Sequence, residues 1–186
     1  FLTLLVIALT LVAFIREWAA PDVLALSILC LVVALGLVDP VKMTEIVQET
    51  ALFLGASLVG VTELNRNWVY KPGWHRYEHR EMDLDTLFPS TIRYAVVMAI
   101  ETNYDFVRHA PTAKASAAAG LGYSKMAFLS PSMAKFIAAL GYQAIACGND
   151  TTLSVPLAVD AGLGQLGRFG AIITPEFGPR VRLCKV

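Results

Sequence analysis

Tyr123 stands in the run Leu121-Gly122-Tyr123-Ser124-Lys125-Met126, just behind glycines at 120 and 122 and two positions ahead of a cation. A phenol is a weak acid, but it becomes a useful proton donor when a nearby cation stabilises the phenolate it leaves behind. A Tyr beside a helix break also serves as ordinary packing. Arg180, Arg182 and Lys185 alternate along an otherwise apolar segment. A regular strand would point Arg180 and Arg182 to one face and Lys185 to the other. That pattern suits a solvated edge; if Arg182 is buried near Tyr123, it also supplies the cation that the phenol needs. Asn149, in Cys147-Gly148-Asn149-Asp150, follows an apolar run, a place where Asn commonly serves a turn.

The stretch Gly162-Leu163-Gly164-Gln165-Leu166-Gly167 matches GxGxxG, whose glycines let a backbone approach a pyrophosphate. A dinucleotide fingerprint should follow a first strand and open a helix. Here the stretch follows a helical pattern and leads into a strand-like one. That leaves two readings, a glycine loop serving another phosphate-bearing cofactor or a purely structural turn. His75 and His79 are four apart, but their charge-rich, Pro-flanked surroundings do not read as helical, so no metal is assigned. Cys30, Cys147 and Cys184 are far apart, with no ligand spacing for zinc or a cluster.

The elements that must position these residues follow from periodicity. Val41 to Leu54 is expected to be helical, and Leu58 to Val61 a short buried strand. Residues 65–89 hold Trp68, Tyr70, Trp74 and several charges with little periodicity, which reads as a long loop of the functional kind. Tyr94 to Ile100 is a second strand. Thr112 to Leu140, rich in Ala, Lys and Met, reads as one or two helices broken near Gly120 and Gly122. Tyr142 to Ala146 is expected as a third strand, Leu153 to Ala161 as a helix, Phe169 to Thr174 as a fourth strand and Arg180 to Val186 as a fifth. Such alternation defines an α/β class, with the strand order open.

The 186 residues carry 15 Lys plus Arg against 15 Asp plus Glu, so no basic field draws the chain to nucleic acid. Most of the apolar excess sits before Pro40. Phe1 to Ile15 and Val23 to Val38 are almost unbroken apolar runs, separated by the polar turn Arg16 to Asp22 with its Trp18 and Pro21. Two helices joined in this way would form a transmembrane hairpin over residues 1–40, because in lipid a helix satisfies its own backbone. The second run is slightly short for a span of about 20 residues, so a signal-like segment or a buried hairpin stays open. The same stretch resembles the opening hairpin of divalent-anion permeases, as a fused reading frame would. With two apolar runs and nothing spanning after Asp39, a transport function is disfavoured.

Beyond the hairpin, LGYSKMAFLSPSMAKFIAALGYQAIACGNDTTLSVPLAVDAGLGQLGRFGAIITPEFGPRVRLCKV resembles the catalytic core of reductive dehalogenases, and a weaker likeness through FLGASLVGVTELNRNWVY extends it over residues 41–186. The resemblance implies an incomplete, cobalamin-binding, nitroreductase-like α/β sandwich. It implies a base-off cobalamin, and two 4Fe-4S clusters held by cysteines expected beyond Val186, so that this piece alone would be inactive. Tyr123 matches the family's proton-donating Tyr, Asn149 a polar residue on the substrate side, and Arg182 the basic group beside the Tyr, with Lys185 as the alternative partner. Gly162, Gly164, Gly167 and Arg168 would lie near the cobalamin nucleotide tail. Reduced cobalt would attack the organohalide, and Tyr123 would protonate the product carbon. The implied partners are the organohalide, an electron-donating redox protein and the cell membrane, with Trp68, Tyr70, Trp74 and Tyr104 shaping the pocket. Epoxyqueuosine reductase carries a similar AGLG-x-x-G stretch but uses an Asp as its acid and is cytosolic, so Tyr123 and the apolar start disfavour it. A non-catalytic corrinoid-binding membrane protein is the other alternative.

Overall fold

The computed structural model describes residues 40–70, 73–75, 80–82 and 88–186, the two short segments by their backbone alone. The expected hairpin of residues 1–40 lies outside this set except for Pro40, as does His79. Among the described residues no helix is long and apolar enough to cross a membrane.

The elements in chain order are α1 (Pro40–Phe53), β1 (Leu58–Glu63), a 3-10 turn (Arg66–Trp68), β2 (Gly73–His75), β3 (Arg80–Met82), β4 (Tyr94–Glu101), α2 (Tyr104–Val107), α3 (Ala113–Ala139), α4 (Ser154–Asp160), β5 (Gln165–Leu166), β6 (Ile172–Ile173) and β7 (Val181–Lys185). The main sheet has the order β1-β4-β7 and is antiparallel throughout. The central strand β4, Tyr-Ala-Val-Val-Met-Ala-Ile-Glu, is buried at all six interior positions. A strand covered on both faces reads as a continuous apolar run, and this one does.

The side-chain alternation of the sheet decides what meets what. Val96, Met98, Ile100 and Cys184 face α1 and α3, packing with Val47, Ala51, Met126, Leu129 and Met133. Ala95, Val97, Ala99 and Leu183 face α4, packing with Leu157, Ala158, Leu163 and Ile172. Helices on both sides of the sheet give an α/β sandwich. Gly60 in β1 permits the close approach of α4, since a Cβ there would stand 2.4 Å from the carbonyl oxygen of Ala161.

Several expectations are corrected. The long helix is not broken at Gly120 or Gly122: α3 runs unbroken for 27 residues and even contains Pro131. Each interior Gly costs about 1 kcal/mol relative to Ala. The alanine-rich first turns and the buried stripe Ala118, Gly122, Met126, Leu129, Ser130 and Met133 hold the helix against the sheet. Tyr142 to Ala146 forms no strand; the residue that follows it, Cys147, makes a single bridge with Lys185 of β7. Phe169 to Thr174 shrinks to the two-residue β6, because Gly167 to Gly170 closes a turn in which Gly170 has φ 83°. Residues 65–89, expected as one long loop, hold a 3-10 turn and the β2–β3 pair among the described residues; His75 lies in that pair, off any helix as expected.

Candidate active site

Tyr123 and Arg182, 59 residues apart in sequence, meet across the α3–β7 junction. Arg182 Nη1 donates to Tyr123 Oη at 2.9 Å. The guanidinium carbon also lies 4.3 Å from the centre of the Tyr123 ring, within cation–π range. Their meeting depends on Gly122. A Cβ at that position would fall 2.9 Å from Arg182 Cγ, so the absent methyl is the space through which the arginine stem crosses the helix. Arg182 pairs with Ile100 in the β4–β7 register, on the sheet face that looks toward α3.

The direction of this hydrogen bond sets its chemistry. A guanidinium has donors and no acceptor, so Tyr123 Oη must accept and its own hydrogen stays free to be given elsewhere. Tyr123 is 49% exposed, and Leu121 and Phe169 are likewise uncovered. The pair is a phenol held by a cation and open on its other side.

Lys185, the alternative partner, is not at this site. The strand alternation turns it to the other face of the sheet, where it is 2% exposed. Its Nζ donates to the carbonyls of Gly148 and Thr152 at 2.6 and 2.9 Å and lies 2.7 Å from Ser154 Oγ. Burial lowers its pKa from 10.5 to about 8, opposed by the nearby Cys147, Asp150 and Cys184. Asn149 is exposed in the bend that Lys185 holds from beneath. Arg180, on the Arg182 face, pairs with Glu101 at 3.1 Å, donates to the Thr102 carbonyl and stacks on Tyr104.

Local geometry accounts for the three motif glycines. Gly162 has φ 75° and ends α4, with Leu163 N–H donating to the Ala158 carbonyl and Gly162 N–H to that of Val159. These are the paired bonds of a Schellman cap, in which Gly supplies the left-handed residue. Gly164 lies so close to β6 that a Cβ would stand 2.3 Å from the Ile173 carbonyl oxygen, and Gly167 packs on the Ile173 side chain. Arg168 is exposed beside them. Of the aromatic residues expected to shape a pocket, Trp68 packs against the α4 side of the core and donates from Nε1 to Asp160 at 2.7 Å. The side chain of Trp74 is outside the described set.

Cys147 and Cys184 are free and buried. Burial raises both thiols, Cys184 to about 12, which opposes the thiolate form that a metal needs. Among the described residues no group of three or more His, Cys, Asp or Glu could hold a metal ion. The described residues therefore do not fit an iron-sulfur cluster. A cavity of about 330 Å³, lined mainly by apolar side chains including Phe88, Ile92, Ile137 and Tyr142, reaches Lys185 and Val186 but touches neither Tyr123 nor Arg182.

The chain has counterparts among known proteins. No protein-family model matches the chain. It is 40% identical over 171 residues to the tetrachloroethene reductive dehalogenase of Sulfurospirillum multivorans, covering 80% of this chain and 34% of that protein. It is 36% identical over 176 residues to the enzyme of the same name from Desulfitobacterium hafniense, covering 77% and 32%. Among solved structures, a catabolic reductive dehalogenase superposes with a TM-score of 0.68 at 24% identity, over 79% of this chain and 21% of that one. An epoxyqueuosine reductase bound to a tRNA stem loop superposes less well, with a TM-score of 0.54 at 17% identity, over 79% and 45%. The chain belongs to the reductive dehalogenases, a family of oxidoreductases. It spans about a third of the length of the curated relatives it matches.

Proposed function

We propose that this domain is the substrate-facing part of an enzyme that reductively removes halide from an organohalide with a bound cobalamin, and that Tyr123 is its proton donor. The observation that carries the reading is the 2.9 Å hydrogen bond from Arg182 to Tyr123, which leaves the phenol proton free beside an open surface. The likeness to tetrachloroethene reductive dehalogenases supports a small organohalide as substrate.

The residues present suit a corrinoid bound base-off. Such a group asks for no imidazole ligand and offers a broad face, and Tyr123 is half-exposed toward whatever lies over it. When bound, it would supply the two electrons that break the carbon–halogen bond. The chain's own contribution is the proton. Tyr123 gives its hydrogen to the carbon as the halide departs, so one C–H bond forms where one carbon–halogen bond is lost. Arg182, already donating to Oη, stabilises the phenolate through a charge-assisted hydrogen bond. The exposed oxygen then regains a proton from solvent. In this reading Asn149 offers a polar contact on the substrate side, and the loop at Gly162 to Arg168 lies near the nucleotide tail. The two 4Fe-4S clusters belong to other parts of the full-length protein. Residues 1–38, apolar as they are, would anchor the domain at the cell membrane, where an electron donor could reach it.

The test is halide release from tetrachloroethene by the full-length, corrinoid-loaded protein under a low-potential reductant. Positioned general acids contribute about 10²- to 10⁴-fold, so Tyr123→Phe should cost at least about a hundredfold with little change in melting temperature. Retention of full turnover by that variant would remove Tyr123 as the acid.

A further inference from the structure

We propose that Lys185 is a positioning residue that clamps the Cys147 to Ser154 loop through its backbone and thereby presents Asn149 to the site. This assignment rests on the proposed function for what Asn149 does, but the clamp itself stands on geometry. The loop is fastened at its ends and middle by main-chain bonds. Cys147 exchanges two hydrogen bonds with Lys185, Tyr70 N–H donates to the Thr151 carbonyl, and Leu153 N–H donates to that of Trp68. Ser130 on α3 adds a bond to the Lys185 carbonyl at 3.1 Å.

Between those fastenings, the carbonyls of Gly148 and Thr152 turn inward, away from water. Lys185 Nζ meets both, and Ser154 Oγ completes its surroundings. An apolar side chain of the same length would leave two buried acceptors without partners, which is the costly way to lose a hydrogen bond. Two of the three contacts are to backbone atoms, so they fix where the chain runs whatever the neighbouring side chains are. Gly148 immediately precedes Asn149, and Asn149 and Asp150 form the exposed tip. The same strand therefore carries both cations, with Arg182 reaching Tyr123 from one face and Lys185 holding the loop that bears Asn149 from the other.

Two measurements on the full-length, corrinoid-loaded protein test this. Amide hydrogen exchange in Lys185→Met should lose at least about tenfold protection at the amides of Tyr70 and Leu153, whose hydrogen bonds fasten the loop, and none along β4, as a local opening requires. Unchanged exchange at those amides would overturn the clamp, whatever the activity. For the positioning role, a double-mutant cycle reads halide release from tetrachloroethene. Lys185→Met should lower kcat about tenfold in the native background and leave Asn149→Ala no worse than it already is. Equal losses in both backgrounds, or no loss from Asn149→Ala alone, would overturn it. Should Lys185→Met fail to fold, Ser154→Ala removes one of the three contacts and enters the same two experiments with an expected effect of about threefold. Full turnover in Tyr123→Phe alongside lost loop protection would sink the proposed acid and leave the clamp standing.

Discussion

Arg182 and Lys185 are two cations three residues apart on one strand, and they do opposite work. Arg182 faces α3, partly open to solvent, and spends a donor on a side chain whose own proton is thereby left available. Lys185 faces α4, is buried, and spends its donors on carbonyls that have no other purpose than to run the chain. The difference shows that charge type alone does not mark a reactive residue. What matters is whether the partner group has chemistry left once the bond is made.

Breaking the reactive side should give the largest effect. Arg182→Gln keeps a donor but removes the charge that steadies the phenolate, and turnover should fall about a hundredfold. Its melting temperature should stay close to that of the native protein. A loss matched by unfolding would move Arg182 into the structural class with Lys185.

Gly122→Ala sharpens the comparison without replacing either cation. Its methyl would meet the arginine stem at 2.9 Å, and the contact is with Cγ rather than with a mobile tip. Displacement of the guanidinium from Tyr123 should lower kcat about tenfold. Ala favours the helix over Gly by about 1 kcal/mol, which offsets part of the strain of the close contact, so stability should change little. Native turnover in Gly122→Ala would mean that the pair tolerates misplacement and that the 2.9 Å bond is not what matters.

The buried side should appear in the pH dependence of stability. The folded pKa of Lys185 is about 8, below its ordinary 10.5. From about pH 8 upward the unfolded chain therefore holds a proton that the folded one has released, and stability rises with pH. Above pH 9 the thiols reverse this. Cys184, pushed up to about 12, and the raised Cys147 keep protons in the folded state that the unfolded chain gives up. The gain is confined to roughly pH 8 to 9 and amounts to about 1 kcal/mol at most. That corresponds to about 2 °C in melting temperature. It should be present in the native protein and absent from Lys185→Met; a parallel rise in both would assign it to other groups.

The strands β1 and β4 were legible in the sequence as compact apolar runs, and β7 as a short segment in which basic residues punctuate apolar ones. Tyr142 to Ala146 looked similar and is not a strand, since an apolar run gains burial equally well by packing side chains without pairing its backbone. The unbroken α3 was obscured by its two glycines. Their local cost is real, but the space at Gly122 is taken up by an arginine from a distant strand, which no local pattern announces.

By itself the sequence determined that helices and strands mix along the chain and that Arg182 and Lys185 face opposite ways, because hydrophobic periodicity and strand alternation are local properties. It also carried the resemblance that singled out Tyr123. Only the tertiary structure decided which cation meets the phenol, since that depends on which helix lies over which face of the sheet. It likewise decided that Gly162, Gly164 and Gly167 are occupied by a helix cap and by the close approach of β6. Contacts 59 residues apart are set by packing, and packing is a property of the folded whole.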